Sequence, residues 1–129
     1  MKKYFIAAAL AICAFASYAN AASDEAYKLV DHVSVVVAKQ FISSQNLPDN
    51  PNQREKAFKA AQLVLTGAYN MGYNGANDGK TEAVVKRELY ASVEKGFAGA
   101  SVDDQFISFI EARAWEVARL GYAEAKAGL

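Results

Sequence analysis

The chain of 129 residues holds one cysteine, one histidine and two prolines, and neither sign of charge is in excess, with 14 Lys and Arg against 14 Asp and Glu. Each scarcity excludes a class of protein. A single cysteine permits no disulfide framework and no cysteine-cluster zinc site. The one histidine, His32, cannot build a common zinc centre without carboxylate help, and no His-Glu-x-x-His pattern exists. Balanced charge lacks the basic surplus of a nucleic-acid binder. What is plentiful is apolar residues, 53% of the chain, enough for a packed core and too many for disorder. A chain of this length is expected to fold as one domain.

Residues 1–21 have the three parts of a cleaved export signal. Lys2 and Lys3 form a charged start, residues 4–15 are an apolar run, and Ala19-Asn20-Ala21 offers small residues at both positions a signal peptidase reads. The run is shorter than the roughly 20 residues a membrane span needs. Leu10-Ala11-Ile12-Cys13 imitates a lipidation box, but bulky Ile12 precedes the cysteine, and Cys13 lies inside the apolar run rather than at its end. Cleavage after Ala21 leaves residues 22–129, free of cysteine and slightly acidic. The short basic start and the cleavage site suit a periplasmic destination in a Gram-negative host, for a bacterial or a phage gene alike.

Four helical segments follow. The first, 24–45, has Ser23 as N-cap, Asp24 and Glu25 in its first turn, and an apolar stripe through Ala26, Val30, Val33, Val37 and Phe41. The β-branched run Val35-Val36-Val37 speaks for a strand instead. Asn46-Leu47-Pro48-Asp49-Asn50-Pro51 breaks the chain, with Asn50 able to cap and Pro51 suited to a first helical position. The second segment runs from 52 to 72 or 73, ending at Gly72 or fraying to Ala76. The third spans 81–97 with Thr81 or Asp78 as cap. The fourth spans 102–126, where Ser101 and Asp104 resemble a capping box. Short connections favour antiparallel neighbours, so the expected fold is all-α: an up-down-up-down four-helix bundle made of two helical hairpins.

Small residues make a sharper expectation. Gly72 and Gly75 lie with Ala61 and Ala68 along the second segment, and Gly121 lies with Ala114, Ala118 and Ala125 along the fourth. A glycine inside a helix costs about 1 kcal/mol relative to alanine, so close backbone approach is predicted where segments two and four meet near Gly72 and Gly121. Met71-Gly72-Tyr73 also echoes Leu120-Gly121-Tyr122. At the same offset Phe58 falls on Ile107, Ala61 on Ile110 and Leu65 on Ala114, as two related hairpins would require.

The chemical motifs fail one by one. Gly75-Ala76-Asn77-Asp78-Gly79-Lys80-Thr81 is one residue short of a phosphate loop, and no strand precedes it. Read as a calcium loop it puts Ala76 and Val85 where oxygen ligands belong. There is no Gly-x-Ser-x-Gly and no cysteine nucleophile in residues 22–129. Carboxylates for glycoside cleavage could come only from Glu88, Glu94, Glu111 and Glu116, which on helices read as solvated or paired surface acids. His32 reads as a boundary histidine, or as a pH-sensitive contact. No metal, cofactor or catalytic residue is expected.

The most distinctive run is Tyr69-Asn70-Met71-Gly72-Tyr73-Asn74. Tyr69 and Tyr73 are one turn apart, and Asn70, Asn74 and Asn77 would align three amides if the helix continues. Amides are poor helix formers, and tyrosine is enriched at interfaces. Tyr69, Asn70, Tyr73, Asn74 and Asn77, with Trp115 beside the apolar stripe of the fourth segment, are therefore the candidate binding residues. Met71-Gly72-Tyr73 resembles the Gly-Tyr motif of certain secretion-system immunity proteins. Those carry cysteines in the same helices, which this chain lacks, so no role is carried over. The expected function is a non-catalytic periplasmic protein that binds a protein partner, as an inhibitor, an immunity protein or a phage lysis regulator. The rivals are a structural subunit that forms a homodimer and a cell-wall carbohydrate-active enzyme. No nucleic acid and no stable membrane span are expected.

Overall fold

The structure, a computed structural model, describes residues 23–100 and 102–129. The proposed leader with Cys13, and Ser101, lie outside the described residues. Among the described residues the structure is all-helical: α1 (Asp24–Ser44), α2 (Pro51–Asn77), α3 (Glu82–Gly96) and α4 (Asp104–Lys126).

Local chemistry starts each helix. The side chains of Ser23, Asn50 and Thr81, each on extended backbone, accept the amides of Ala26, Gln53 and Val84, as the sequence predicts. The fourth cap is Asp103 rather than Ser101. Its carboxylate accepts the Phe106 amide at 2.7 Å, so α4 begins at Asp104 instead of 102. Helical period resolves the valine run: Val37 is buried while Val35 and Val36 face solvent. The second helix passes through Gly72 and Gly75 and ends at Asn77, because tertiary contact at both glycines outweighs their poor propensity.

Contacts at the helix ends fix direction. Ser23 bonds Glu124 and Phe41 stacks on Phe106 (ring centroids 5.4 Å apart), so α1 and α4 are antiparallel. Asp31 meets Gln62 across the first hairpin. Glu82 pairs with Arg119 and Phe97 packs edge-on against Phe106, so α3 and α4 are antiparallel too. This is the up-down-up-down bundle, in which α2 and α4 are parallel and diagonal. In this bundle the diagonal pair packs most extensively of all, while α1 and α3 do not touch.

Glycine produces that flattened arrangement. A Cβ on Gly72 would strike the carbonyl oxygen of Ala118 and lie 2.7 Å from its carbonyl carbon; one on Gly121 would strike the carbonyl oxygen of Tyr69. The predicted approach at Gly72 and Gly121 is thus present, and it is reciprocal. Each glycine meets the residue three positions before the other.

The reciprocity extends to the helix ends. Tyr73 donates its hydroxyl to the backbone oxygen of Leu129, and Tyr122 donates its own to that of Lys80. Gly79 and Gly128 both take positive φ (77° and 78°) beyond their helices, and the next amides, Lys80 and Leu129, bond back to Gly75 and Glu124. All these pairs share the offset of the sequence echo. An approximate twofold axis therefore relates the C-terminal halves of α2 and α4. Among the described residues no helix is long and apolar enough to cross a membrane.

Candidate functional site

Three helices surround much of α2, so little of it reaches solvent. Tyr69 is 2% and Asn70 3% exposed, which removes both from any binding face. Their polar atoms serve the interior. Tyr69 donates its hydroxyl to Glu124 Oε1 at 2.6 Å, and Ser23 donates to Glu124 Oε2 at 2.6 Å. Glu124, buried on α4, thus ties the start of α1 to α2. Burial and then the Glu124 hydrogen bond push the Tyr69 phenol well above its ordinary value. Tyr69→Phe leaves the Glu124 carboxylate short of one buried donor, with an expected loss of about 1–2 kcal/mol in urea unfolding. Tyr73 is half-buried, stacked against Tyr69 with ring centroids 6.1 Å apart, and held by Leu129.

The outer end of the amide stripe has a different fate. Asn74 and Asn77 line a cleft of about 740 Å³ between α2 and α3. The cleft exists because α3 leans on α4 and touches α2 less than any other neighbouring pair. Near the turn, Gly75 lets Val85 come close, since a Cβ there would lie 2.5 Å from Val85 Cγ2. Farther along, the helices leave a gap between Met71 on one wall and Ala91, Ser92 and Lys95 on the other. At the turn end Lys80 bonds Glu88 at 2.9 Å, and its backbone oxygen is fixed by Tyr122. Asp78 completes the rim. The walls therefore carry two amides, a hydroxyl and charges of both signs. Such a lining can pair with the alternating donors and acceptors of an extended peptide.

Trp115 sits elsewhere, half-buried where α4 meets α3, with the Lys86 ammonium 5.8 Å from its ring centroid. The six residues chosen from sequence are thus dispersed: Tyr69 and Asn70 in the core, Tyr73 at the end of the bundle, Asn74 and Asn77 in the cleft, and Trp115 on another seam. Sequence reasoning assigned none of Lys80, Glu88, Ser92 and Lys95 to a binding site. Glu88, Ser92 and Lys95 recur at three- and four-residue spacing along α3, a polar stripe that could have been found as one face.

Among the described residues no group of three or more His, Cys, Asp or Glu could hold a metal ion. Exposed His32 lies on α1, away from the cleft residues of α2 and α3. One further reading of an acid needs correcting, since Glu111 is buried rather than solvated. The chain matches no family model, no curated protein and no solved structure.

Proposed function

We propose that this is an exported, non-catalytic helical protein that holds a protein partner, with an extended segment of the partner seated in the α2–α3 cleft. One observation carries the reading: Asn74 and Asn77 of α2 and Ser92 and Lys95 of α3 line the same open, charge-balanced gap. The glycine-pinned α2 and α4 keep one wall rigid, so little entropy is lost there on binding. Blocking a partner sterically, as an inhibitor, an immunity protein or a phage lysis regulator does, needs no more than this. The periplasm is the proposed compartment, from the leader sequence.

Immobilised protein is expected to retain its periplasmic partner, and Asn77→Arg and Ser92→Arg, which crowd the cleft from opposite walls, are expected to release it. Equal recovery of the same partner by wild type and both variants, with unchanged circular dichroism, would exclude the cleft.

A second reading, self-association, is favoured by the exposure of Tyr27, Val35 and Val36 on α1 and Leu63 on α2. Light scattering decides it: a mass that stays monomeric as concentration rises counts against a homodimer.

A further inference from the structure

The opposite flank of α3 carries a separate arrangement, independent of the cleft. Side chains meet in rungs along the antiparallel α3–α4 seam. Glu82 and Arg119 form the first, at 3.6 Å. Next, the Lys86 ammonium lies 5.6 Å from the Tyr90 ring centroid and 5.8 Å from that of Trp115, between one aromatic ring from each helix. The following rung brings Glu111 of α4 against Glu94 and Tyr90 of α3.

Here the charge balance fails. Glu111 is only 8% exposed, and its Oε2 has no hydrogen-bond partner among the described residues. The charged group that acts on it is another carboxylate, Glu94. Arg113, on the far side of α4, is engaged by Glu116 at 3.2 Å and by the Phe109 ring. The offset of the sequence echo names the counterpart of this position on α2. Glu111 corresponds to Gln62, which donates its amide to Asp31 across the first hairpin at 2.9 Å. A neutral donor suffices there, and the second hairpin has an uncompensated acid in its place.

We propose that Glu111, Glu94, Tyr90 and Trp115 form a binding site for a primary alkylammonium group, with Lys86 as its internal competitor. Two aromatic faces attract a cation, and Lys86 already demonstrates the attraction. Two carboxylates accept N–H donors, of which a primary ammonium has three and a quaternary one has none. The idle Glu111 oxygen supplies the acceptor that aromatic rings cannot. Glu94, Tyr90 and Trp115 are all partly or fully open to solvent, giving a ligand its entry. Lys86 is exposed on a flexible stem and can swing aside.

Trp115 is the sole tryptophan, so its fluorescence reports this site alone. Wild type in phosphate buffer at fixed ionic strength would be titrated with n-butylammonium, N-acetyl-lysinamide, choline and butanol. Saturable change is expected with n-butylammonium, at least tenfold weaker binding with choline, and none with butanol. Lysinamide binding as tightly as butylammonium identifies a lysine side chain as the source, and a response to butylammonium alone identifies a small free amine. Lys86→Met is expected to tighten binding several-fold. Glu111→Gln and Glu94→Gln are each expected to weaken it about tenfold, which is about 1.4 kcal/mol. Equal titration by choline, a non-saturating response to every cation, or unchanged affinity in both Gln variants would overturn the assignment.

Discussion

Gly72→Ala is expected to cost about 3 kcal/mol, a large part of the 5–15 kcal/mol that holds a typical domain together. The added methyl would meet the Ala118 backbone, not a side chain that could rotate away. Helix propensity would return about 1 kcal/mol, so steric loss must exceed that. Relief requires α2 and α4 to separate, which opens voids beside Ala68, Ala114 and Ala118, all fully buried now. Gly121→Ala meets the Tyr69 backbone in the symmetry-related way and is expected to behave alike. Gly75→Ala is the control, since its obstacle is the Val85 methyl at 2.5 Å on a helix held loosely against α2. Its loss is expected to stay near 1 kcal/mol. Urea midpoints followed by far-ultraviolet circular dichroism rank the three. If Gly72→Ala unfolded together with Gly75→Ala, the backbone contact would not be what sets the diagonal packing.

Those glycines also show how much was legible in the sequence. Local chemistry was readable: Ser23, Asn50 and Thr81 each cap by an oxygen reaching an amide three residues on, which needs nothing distant. The Gly-Tyr echo was readable as well, and the structure returns it as the exchanged bonds of Tyr73 and Tyr122. What escaped was the side on which a helix is covered. A helix packed against three neighbours has no simple apolar face, so Tyr69 and Asn70 imitate an exposed stripe. The buried acids escaped for a related reason. Glu124 is tolerable inside only because Ser23 and Tyr69 come to it from other elements, and no local spacing announces that meeting. The Asp103 cap holds the amide of Phe106, whose ring packs on Phe41 and Phe97 of other segments, a meeting that local spacing does not announce. Only two of the six candidate residues share the cleft because their helix carries them there, not because their identities declared it.

The remaining acid controls how the fold responds to pH. Burial first, then the hydrogen bond and charge of Glu94, push the Glu111 carboxyl up from 4.5 to about 7. The folded state therefore keeps a proton that the unfolded chain releases near pH 4.5. Stability is full below that pH, falls as pH rises towards 7, and levels off above it. The expected loss is of order 2–3 kcal/mol across the window. The charged group acting on Glu111 is Glu94 of α3; the neutral Tyr90 phenol lies beside it, and Arg113 on its own helix is turned to Glu116. Glu111→Gln supplies permanently what protonation supplies only in acid, and it copies the Gln62 amide of the first hairpin. The variant is expected to match wild type at pH 5 and to exceed it at pH 8, with the window flattened. Glu94→Gln removes the second cause but leaves burial, so a reduced slope is expected. Urea unfolding at half-unit pH steps measures all three proteins. A Glu111→Gln profile that still declines between pH 4.5 and 7 would assign the dependence to other groups. The same linkage reaches the seam: a bound alkylammonium neutralises Glu111 as a cation instead of a proton, so its binding at pH 6 is expected to release a proton that calorimetry in buffers of different ionisation enthalpy can count.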